Sequence, residues 1–448
     1  MPRWLSAPEH ARHRTVAASA GAPWTPRRVA MIAVHTSPLE IPGCGDAGGL
    51  NVYVAQIARR LASRGIDVDV FTRATRRDLP AQQRLAPGVT VRNVVAGPLE
   101  PLPKDELPVH LCAFTAAVLR AEAMREPGWY DVIHSHYWLS GEVGRVASQR
   151  WGVPLIHTMH TLAKVKNAAL AEGDVPEPGR RVIGEADVVA AADRLVTNTW
   201  TEARQLVDLY GAELDRIRVV PPGVDTAIFR PGDGARARRR LGLPIDGCVV
   251  LFVGRLQPLK GPDIAVRTAA EFLSTHAGMR STFRLVIVGG PSGSRSTEPE
   301  RLRALAADLG VADVVIFAPP MPADRLVEFY RAATVTIVPS HSESFGLVAL
   351  ESQACGTPVV AARVGGLTTA VRDGESGLLV DGHDPARYAG AIGRLLDPGR
   401  RAELVRGALA HAMRFHWDNT VEGILGVYRD ALTERRTVAT QRLASRVG

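Results

Sequence analysis

Short apolar runs alternate with longer amphipathic stretches twice over in this chain, and that rhythm leaves few folds open. The first series passes through Val29 to Val34, Val68 to Phe71, Val132 to His134, Pro154 to Thr158 and Leu195 to Asn198. The second passes through Cys248 to Val253, Leu285 to Val288, Val314 to Phe317, Val335 to Val338 and Pro358 to Ala362. Strands that are apolar on both faces and spaced by helices form β-α-β units in a parallel sheet. Between the series, Pro221, Pro222, Gly223, Pro231, Gly232 and Gly234 crowd into one segment that reads as a hinge. The expectation is an α/β chain of two Rossmann-like, doubly wound domains, residues 27–220 and 248–417, facing across a cleft and joined by a linker at 221–247. Residues 1–26 hold Pro2, Pro8, Pro23 and Pro26 without a period and read as a disordered extension. Residues 418–436 read as a helix crossing back to the first domain, and 437–448 as a tail.

Length and composition agree with two large soluble domains. The chain has 448 residues, 46% of them hydrophobic and 22% charged, and no apolar run approaches the roughly 18 residues that span a bilayer. A cytosolic protein without a membrane span is expected. The formal charge of +8 raises the question of nucleic acid. The positive residues are scattered, however, and their densest run, Arg236 to Arg240, falls in the linker, so no nucleic-acid partner is expected. Cys44, Cys112, Cys248 and Cys355 lie far apart, which excludes a zinc knuckle or a disulfide framework and leaves buried thiols. Only Lys104, Lys164, Lys166 and Lys260 are lysines among 54 basic residues. Where lysine persists in so arginine-rich a chain, a compact ammonium has a use; for Lys164 and Lys166 chance suffices.

Three segments carry chemistry. After the first strand, expected to end at His35, a loop running from Thr36 to Asn51 holds Gly43, Gly45, Gly48 and Gly49 before a helical pattern starts. Such a loop lets backbone approach a ligand and leaves first-turn amides free for an anion. Gly43, Gly45 and Gly48 satisfy G-x-G-x-x-G, with Asp69 placed for a ribose, so an NAD(P)-dependent oxidoreductase is a rival reading. Against it, a dinucleotide fingerprint runs straight from its strand into the first glycine, whereas Pro38 and Pro42 intervene here. In the second half, Gly254-Arg255 and Lys260-Gly261 follow a strand, where two cations can hold a diphosphate and stabilise it as a leaving group. After another strand comes Ser340 to Glu351. Glu343 falls in its loop and Glu351 in the following helix, so the two acids meet different parts of one ligand, as carboxylates accepting from sugar hydroxyls do.

Glu343 and Glu351 with seven residues between them, together with Gly254-Arg255 and Lys260-Gly261, resemble the nucleotide-sugar site of the retaining family-four glycosyltransferases, whose fold is GT-B. Thr36-Ser37-Pro38-Leu39, the run Pro42 to Asn51 and Pro101-Leu102-Pro103-Lys104 resemble, more narrowly, the inositol-phosphate glycosyltransferases of mycothiol biosynthesis. The likeness covers about residues 28 to 430. It implies transfer of N-acetylglucosamine from UDP-N-acetylglucosamine to 1D-myo-inositol 3-phosphate with retained configuration. For the acceptor it implies His35, Asp46, Ala47, Gly48, Gly49, Leu50, Asn51, Lys104, Tyr137, Thr161 and Arg181. For the donor it implies Ile41, Pro42, Gly49, Arg255, Lys260, Met321, Glu343 and Glu351; the family pattern has Gln at the Ile41 position, so a backbone contact is expected there. Arg255, Lys260, Glu343 and His160 are the residues expected to act on the reacting groups. The resemblance also implies a structural Mg²⁺ at Tyr330, Arg331, Ala333 and Thr357, not required for the chemistry, and a homodimer. The rival within the same donor motifs is a sucrose or sucrose-phosphate synthase type of transferase; a catalytically idle sugar binder is disfavoured by the full set of cations and glutamates.

Overall fold

The computed structural model describes residues 25–43, 45–171, 175–292 and 297–447. Most of the expected N-terminal extension and Cys44 lie outside the described residues. Eight strands make the first sheet: β1 (Arg28–Ile32), β2 (Asp67–Arg73), β3 (Gln82–Ala86), β4 (Val89–Val94), β5 (Val132–His136), β6 (Leu155–Thr158), β7 (Arg194–Thr197) and β8 (Ile217–Val219). Their order is β3-β4-β2-β1-β5-β6-β7-β8, parallel except for the β3–β4 pair. The second sheet has β9 (Val249–Val253), β10 (Arg284–Val288), β11 (Val315–Ala318), β12 (Val335–Val338), β13 (Val359–Ala362) and β14 (Gly377–Val380) in the order β11-β10-β9-β12-β13-β14. In both sheets the order reverses beside the first strand, β1 against β5 and β9 against β12. Ligands of doubly wound sheets bind at the strand C-termini beside such switch points.

Alternation within β1 shows why the strands are apolar throughout. Val29 and Met31 pack on the face covered by the helix Gly49–Ala62, while Ala30 and Ile32 pack on the opposite face. The two-faced apolar rule misses β3, β4, β8 and β14. Gln82–Ala86 is an edge strand, paired antiparallel to β4 through a turn at Gly88, and its sequence is mostly polar, only Leu85 and Ala86 packing on the core.

The segment 221–247 is more folded than the hinge expected there. Asp233 caps the helix Gly234–Leu241, its carboxylate accepting from the Arg236 amide at 2.9 Å. Arg238 of the basic run then donates to the Ala332 carbonyl at 2.8 Å and to the Thr334 hydroxyl at 2.9 Å. The arginines fasten this helix to the second domain. Chain crossing is confined to Pro221–Val224, which lies beside Phe415–Trp417, the Val224 amide donating to the Phe415 carbonyl at 2.9 Å. The two crossings are so close that a Cβ on Gly223 would stand 2.2 Å from the Trp417 nitrogen.

The last helix, Trp417–Val447, returns to the first domain and continues beyond residue 436, where a tail was expected. No Gly or Pro interrupts it after Gly426, so nothing in the backbone ends it earlier. Its Trp417, Val421, Ile424, Leu425 and Tyr428 complete the core around Tyr53, Ile57 and Leu61, and Arg64 pairs with Asp418 and Glu422 at 3.1 and 3.0 Å on the rim. Cys112 departs from the buried-thiol expectation: it is exposed, because its helix, Leu111–Ala123, buries Phe114 and Val118 instead. Cys248 and Cys355 are buried.

Trp417→Ala should lower the stability of the first domain by about 3–5 kcal/mol, the usual cost of emptying a buried aromatic site. Asp418→Ala, on the exposed rim, should change it by less than about 1 kcal/mol; denaturant titration of both variants tests the contrast.

Candidate active site

The C-terminal edges of the two sheets open onto one cavity of about 860 Å³. From the first domain it is lined by His35, Asp46, Gly48, Gly49, Leu50, Lys104, Tyr137, His160, Thr161 and Arg181, and from the second by Arg255, Lys260, Met321, Glu343 and Glu351, with Pro42 at the edge of the glycine loop. Residues more than 300 positions apart in sequence meet here because β1, β5, β6, β9 and β12 all end on the cleft.

The glycine loop bridges the domains. The Gly45 amide donates to the Pro291 carbonyl at 2.9 Å, and the Gly290 amide to the Gly43 carbonyl at 2.8 Å. Asn51 departs from its expected ligand role: its side-chain amide donates to the Thr36 hydroxyl and the Ser37 carbonyl at 2.6 and 2.5 Å, and its oxygen accepts from the Gly48 amide at 2.8 Å. It is a cap, and by occupying Gly48 it leaves the amides of Gly49 and Leu50 at the start of a 14-residue helix for an anion. Ala47 is buried within the loop, its carbonyl accepting from the Gly43 amide. Ile41 is half exposed and stands outside the cavity lining.

On the second-domain wall, Arg255 donates to the Ser292 hydroxyl at 3.1 Å and has no carboxylate within ion-pair distance among the described residues. Burial pulls its pKa below the ordinary arginine value, with Asp46 and Glu343 acting in the opposite sense. A desolvated cation without a counter-ion is a site for an anion. Lys260 pairs with Glu343 at 2.5 Å. Its position is set by Gly261, whose φ of 67° and whose approach to the Pro339 carbonyl, 2.4 Å from a would-be Cβ, admit only glycine. Glu351 accepts from the Tyr330 hydroxyl at 2.8 Å, and burial pushes its pKa up to about 7, the Tyr330 bond opposing.

On the first-domain wall, Lys104 pairs with Asp46 at 2.8 Å. Burial lowers its pKa while Asp46 holds the charge in place. Arg181 donates to the Thr161 hydroxyl at 2.8 Å and pairs with Glu177 and Glu185, both at 2.8 Å. Burial works against its charge, but Tyr137, Glu185 and Glu177 outweigh it and raise the pKa. Lys104 and Arg181 flank the Tyr137 ring at 5.7 and 4.9 Å from its centroid. His35 lies against the same ring, and burial, reinforced by Lys104 and the other cations, keeps its imidazole neutral.

The residues implied for Mg²⁺ fit that ion poorly. The Thr357 hydroxyl donates to the Tyr330 carbonyl at 2.6 Å, the Thr357 carbonyl accepts from Ser352, and the Tyr330 hydroxyl is spent on Glu351. Arg331 turns its side chain to the Arg230 carbonyl and Glu328, and Ala333 caps its helix. The set offers no carboxylate, which Mg²⁺ normally requires from a protein, and no step is derived through it. Asp69, the acid of the oxidoreductase reading, is held by Arg92 at 3.0 Å and the Tyr130 hydroxyl at 2.5 Å inside the first domain, away from the cavity.

Several residues escaped the sequence reading. Ser292 steadies Arg255. Glu177 and Glu185, spaced four residues either side of Arg181, carried a legible signal as ion-pair partners. Glu202 is buried: one oxygen accepts from the Asn198 amide at 2.8 Å, the other has no partner, and burial pushes its pKa up to about 7.

Residues 47–228 match the family model for glycosyltransferase family 4, and residues 234–408 that for glycosyl transferases group 1. The chain is 97% identical to the D-inositol 3-phosphate glycosyltransferase of Acidothermus cellulolyticus, with both chains covered completely. It is 62% identical to the protein of the same name from Thermomonospora curvata, over 90% of this chain and 95% of the relative. Among solved structures, the sucrose-phosphate synthase of Thermosynechococcus elongatus superposes with a TM-score of 0.84 at 34% identity, over 91% of this chain and all of that one. WaaG, a glycosyltransferase involved in lipopolysaccharide biosynthesis, shares the fold at TM-score 0.67 and 19% identity, over 89% of this chain and 99% of that one.

Arg181→Ala strands Glu185, which is fully buried, and should cost about 3–5 kcal/mol of stability. Lys104→Ala touches a partly exposed pair and should cost less than about 1 kcal/mol while weakening phosphomonoester binding on the order of tenfold; melting curves and calorimetric titration separate the two cations. Glu202 binds a proton in the fold up to about pH 7, and in the unfolded chain only up to the ordinary carboxylate range. Its contribution to stability is therefore complete at low pH and lost as pH rises through 7, by about 1.4 kcal/mol per pH unit within that window. Glu202→Gln should flatten this slope in unfolding midpoints measured from pH 5 to 8.

Proposed function

Because the chain belongs to the family of D-inositol 3-phosphate glycosyltransferases, within the family 4 and group 1 glycosyltransferases, we propose that it transfers N-acetylglucosamine from UDP-N-acetylglucosamine to 1D-myo-inositol 3-phosphate. The products are N-acetylglucosaminyl-inositol 3-phosphate and UDP, with anomeric configuration retained, as in the first step of mycothiol biosynthesis. One observation carries the reading: a single cavity holds two separate cationic clusters, Arg255 with Lys260 on one wall and Lys104 with Arg181 on the other. A diphosphate and a phosphomonoester are the two anions that such a pair of clusters accommodates.

Each substrate then has its wall. Arg255 and Lys260 take the UDP diphosphate, and Glu343 and Glu351 accept from donor hydroxyls. Lys104, Arg181, Thr161 and Tyr137 take the inositol phosphate, with Asp46 and His35 beside the ring hydroxyls. Retention by double displacement would need a free carboxylate nucleophile. Among the described residues of the cavity, Asp46, Glu177, Glu343 and Glu351 are each already engaged, by Lys104, Arg181, Lys260 and Tyr330 respectively, and Asp105 is exposed to solvent. Same-face attack follows. The acceptor oxygen bonds to the anomeric carbon as the bond to the UDP β-phosphate oxygen breaks, and the acceptor proton passes to that departing oxygen. Arg255, Lys260 and the amides of Gly49 and Leu50 stabilise the charge on the leaving diphosphate. The reading assigns no chemical role to a divalent cation, and it carries a cytosolic homodimer, which sedimentation of the purified protein tests.

The 34% identity to a sucrose-phosphate synthase supports a second reading, with a fructose phosphate as acceptor. UDP release from UDP-N-acetylglucosamine should depend on inositol phosphate and yield a product heavier by one N-acetylhexosamine. Release with fructose 6-phosphate alone would favour the second reading, and no release with either would refute both. Lys260→Ala should lower kcat on the order of a hundredfold or more with acceptor affinity unchanged; an equal loss of both would remove Lys260 from the leaving-group role.

A further inference from the structure

His160 is held more firmly than a loop residue needs to be. Tyr137 and His160 are the non-glycine residues with positive φ among those described, and that of His160 is 62°. Such a conformation persists only when the surroundings over-determine it. Ser344, from the second domain, donates its hydroxyl to the His160 carbonyl. The His160 ring meets Tyr53 edge-on, with centroids 5.1 Å apart, and its Nε2 stands 3.0 Å from Nδ1 of His136. His136 ends β5 and is fully buried; its remaining nitrogen, Nε2, is sealed from solvent without a hydrogen-bond partner among the described residues. Behind it, His134 lies 4.3 Å away ring to ring and is bonded by the Tyr428 and Thr158 hydroxyls.

This arrangement decides where the protons sit. Burial, reinforced for His136 by its histidine neighbours, keeps both rings neutral, that of His160 with a pKa pulled down to about 3. Each ring therefore has one N–H and one bare nitrogen. An orphaned buried N–H is rare in folded proteins, which favours the tautomer that leaves the unpartnered Nε2 of His136 bare. His136 then carries its proton on Nδ1 and donates it to Nε2 of His160. With Nε2 accepting, His160 carries its own proton on Nδ1, the nitrogen left for the cavity that the residue lines.

We propose that His136 is a positioning residue that locks His160 in the Nδ1–H tautomer, so that His160 offers the transferred sugar a hydrogen-bond donor and never an acceptor. The inference also takes His160, which lines the cavity, to meet a hydroxyl of the transferred sugar, a role that adds to the proposed function, and the two can fail separately. Nitrogen NMR of the full-length protein labelled with ¹⁵N-histidine, assigned by comparison with His160→Gln and His136→Asn, reads the tautomer directly. The expected result is a protonated Nδ1 and a bare Nε2 at His160. His136→Asn keeps an N–H where Nδ1–H stood and should retain this pattern and turnover to within about threefold. His136→Leu, similar in bulk without the donor, should mix the tautomers and lower kcat/KM for the nucleotide sugar about tenfold, with affinity for UDP unchanged.

A protonated Nε2 at His160 in the unsubstituted protein would overturn the proposal whether or not the Leu variant folds. So would full activity of the Leu variant, or a parallel loss of UDP affinity, which marks a purely structural role. Full activity of His160→Ala would overturn the sugar contact itself, and with it the functional half of the inference, while the NMR result on the tautomer would stand.

Discussion

A desolvated cation has to be answered by a negative charge, and among the described residues no carboxylate pairs with Arg255. Around that fact the rest of the site is arranged. Lys260 is held in check by Glu343, Lys104 by Asp46 and Arg181 by two glutamates, so the wall that receives the diphosphate keeps one open charge. The glycine loop brings the amides of Gly49 and Leu50 to the same cavity, because Asn51 takes the Gly48 amide and the loop itself is tied across the cleft to Gly290 and Pro291. Two polarities therefore coincide at one place, the positive end of a helix and an unpaired guanidinium.

This convergence needs the domains to stand in register, and the last helix supplies the reference. It leaves the second domain at Trp417, runs beside the other crossing at Gly223 with backbone almost touching backbone, and buries Trp417 and Tyr428 in the first domain. Tyr428 also reaches His134, so the packing of that helix and the buried histidine row behind His160 share a side chain. The same row explains a local oddity: neutral imidazoles can chain through single protons without charge, which lets them lie where lysine or arginine would demand a counter-ion.

Most strands with both faces buried were legible in the sequence, Gly377–Val380 excepted, and the polar edge strand was not. Val29–Ile32 and Val249–Val253 announce themselves by apolar runs, whereas Gln82–Ala86 is polar because it lies at an edge. Among site residues, Arg255, Lys260, Glu343 and Glu351 follow strands at short spacing and could be found locally. Asn51 shared the right loop with its neighbours yet turned out to cap it, a difference of side-chain direction that spacing does not encode. Tyr330 and Thr357, expected beside a metal, bond to each other, and the Tyr330 hydroxyl braces Glu351. Ser292 and His136 carried no signal at all, since each acts through a partner distant in sequence.

What the sequence determined by itself was the layout: two doubly wound sheets, the loops at their C-terminal edges, and the kinds of charge those loops carry. These follow from hydrophobic period and backbone permissiveness, which act over a few residues and are written locally. What only the tertiary structure decided was which charges are answered, which amides are free and which ring nitrogen holds a proton. Those depend on burial and on contacts between segments 184 and 294 residues apart, such as Ser344 with His160 and Tyr428 with His134. Desolvation sets their energies, and it exists only once these segments have packed together.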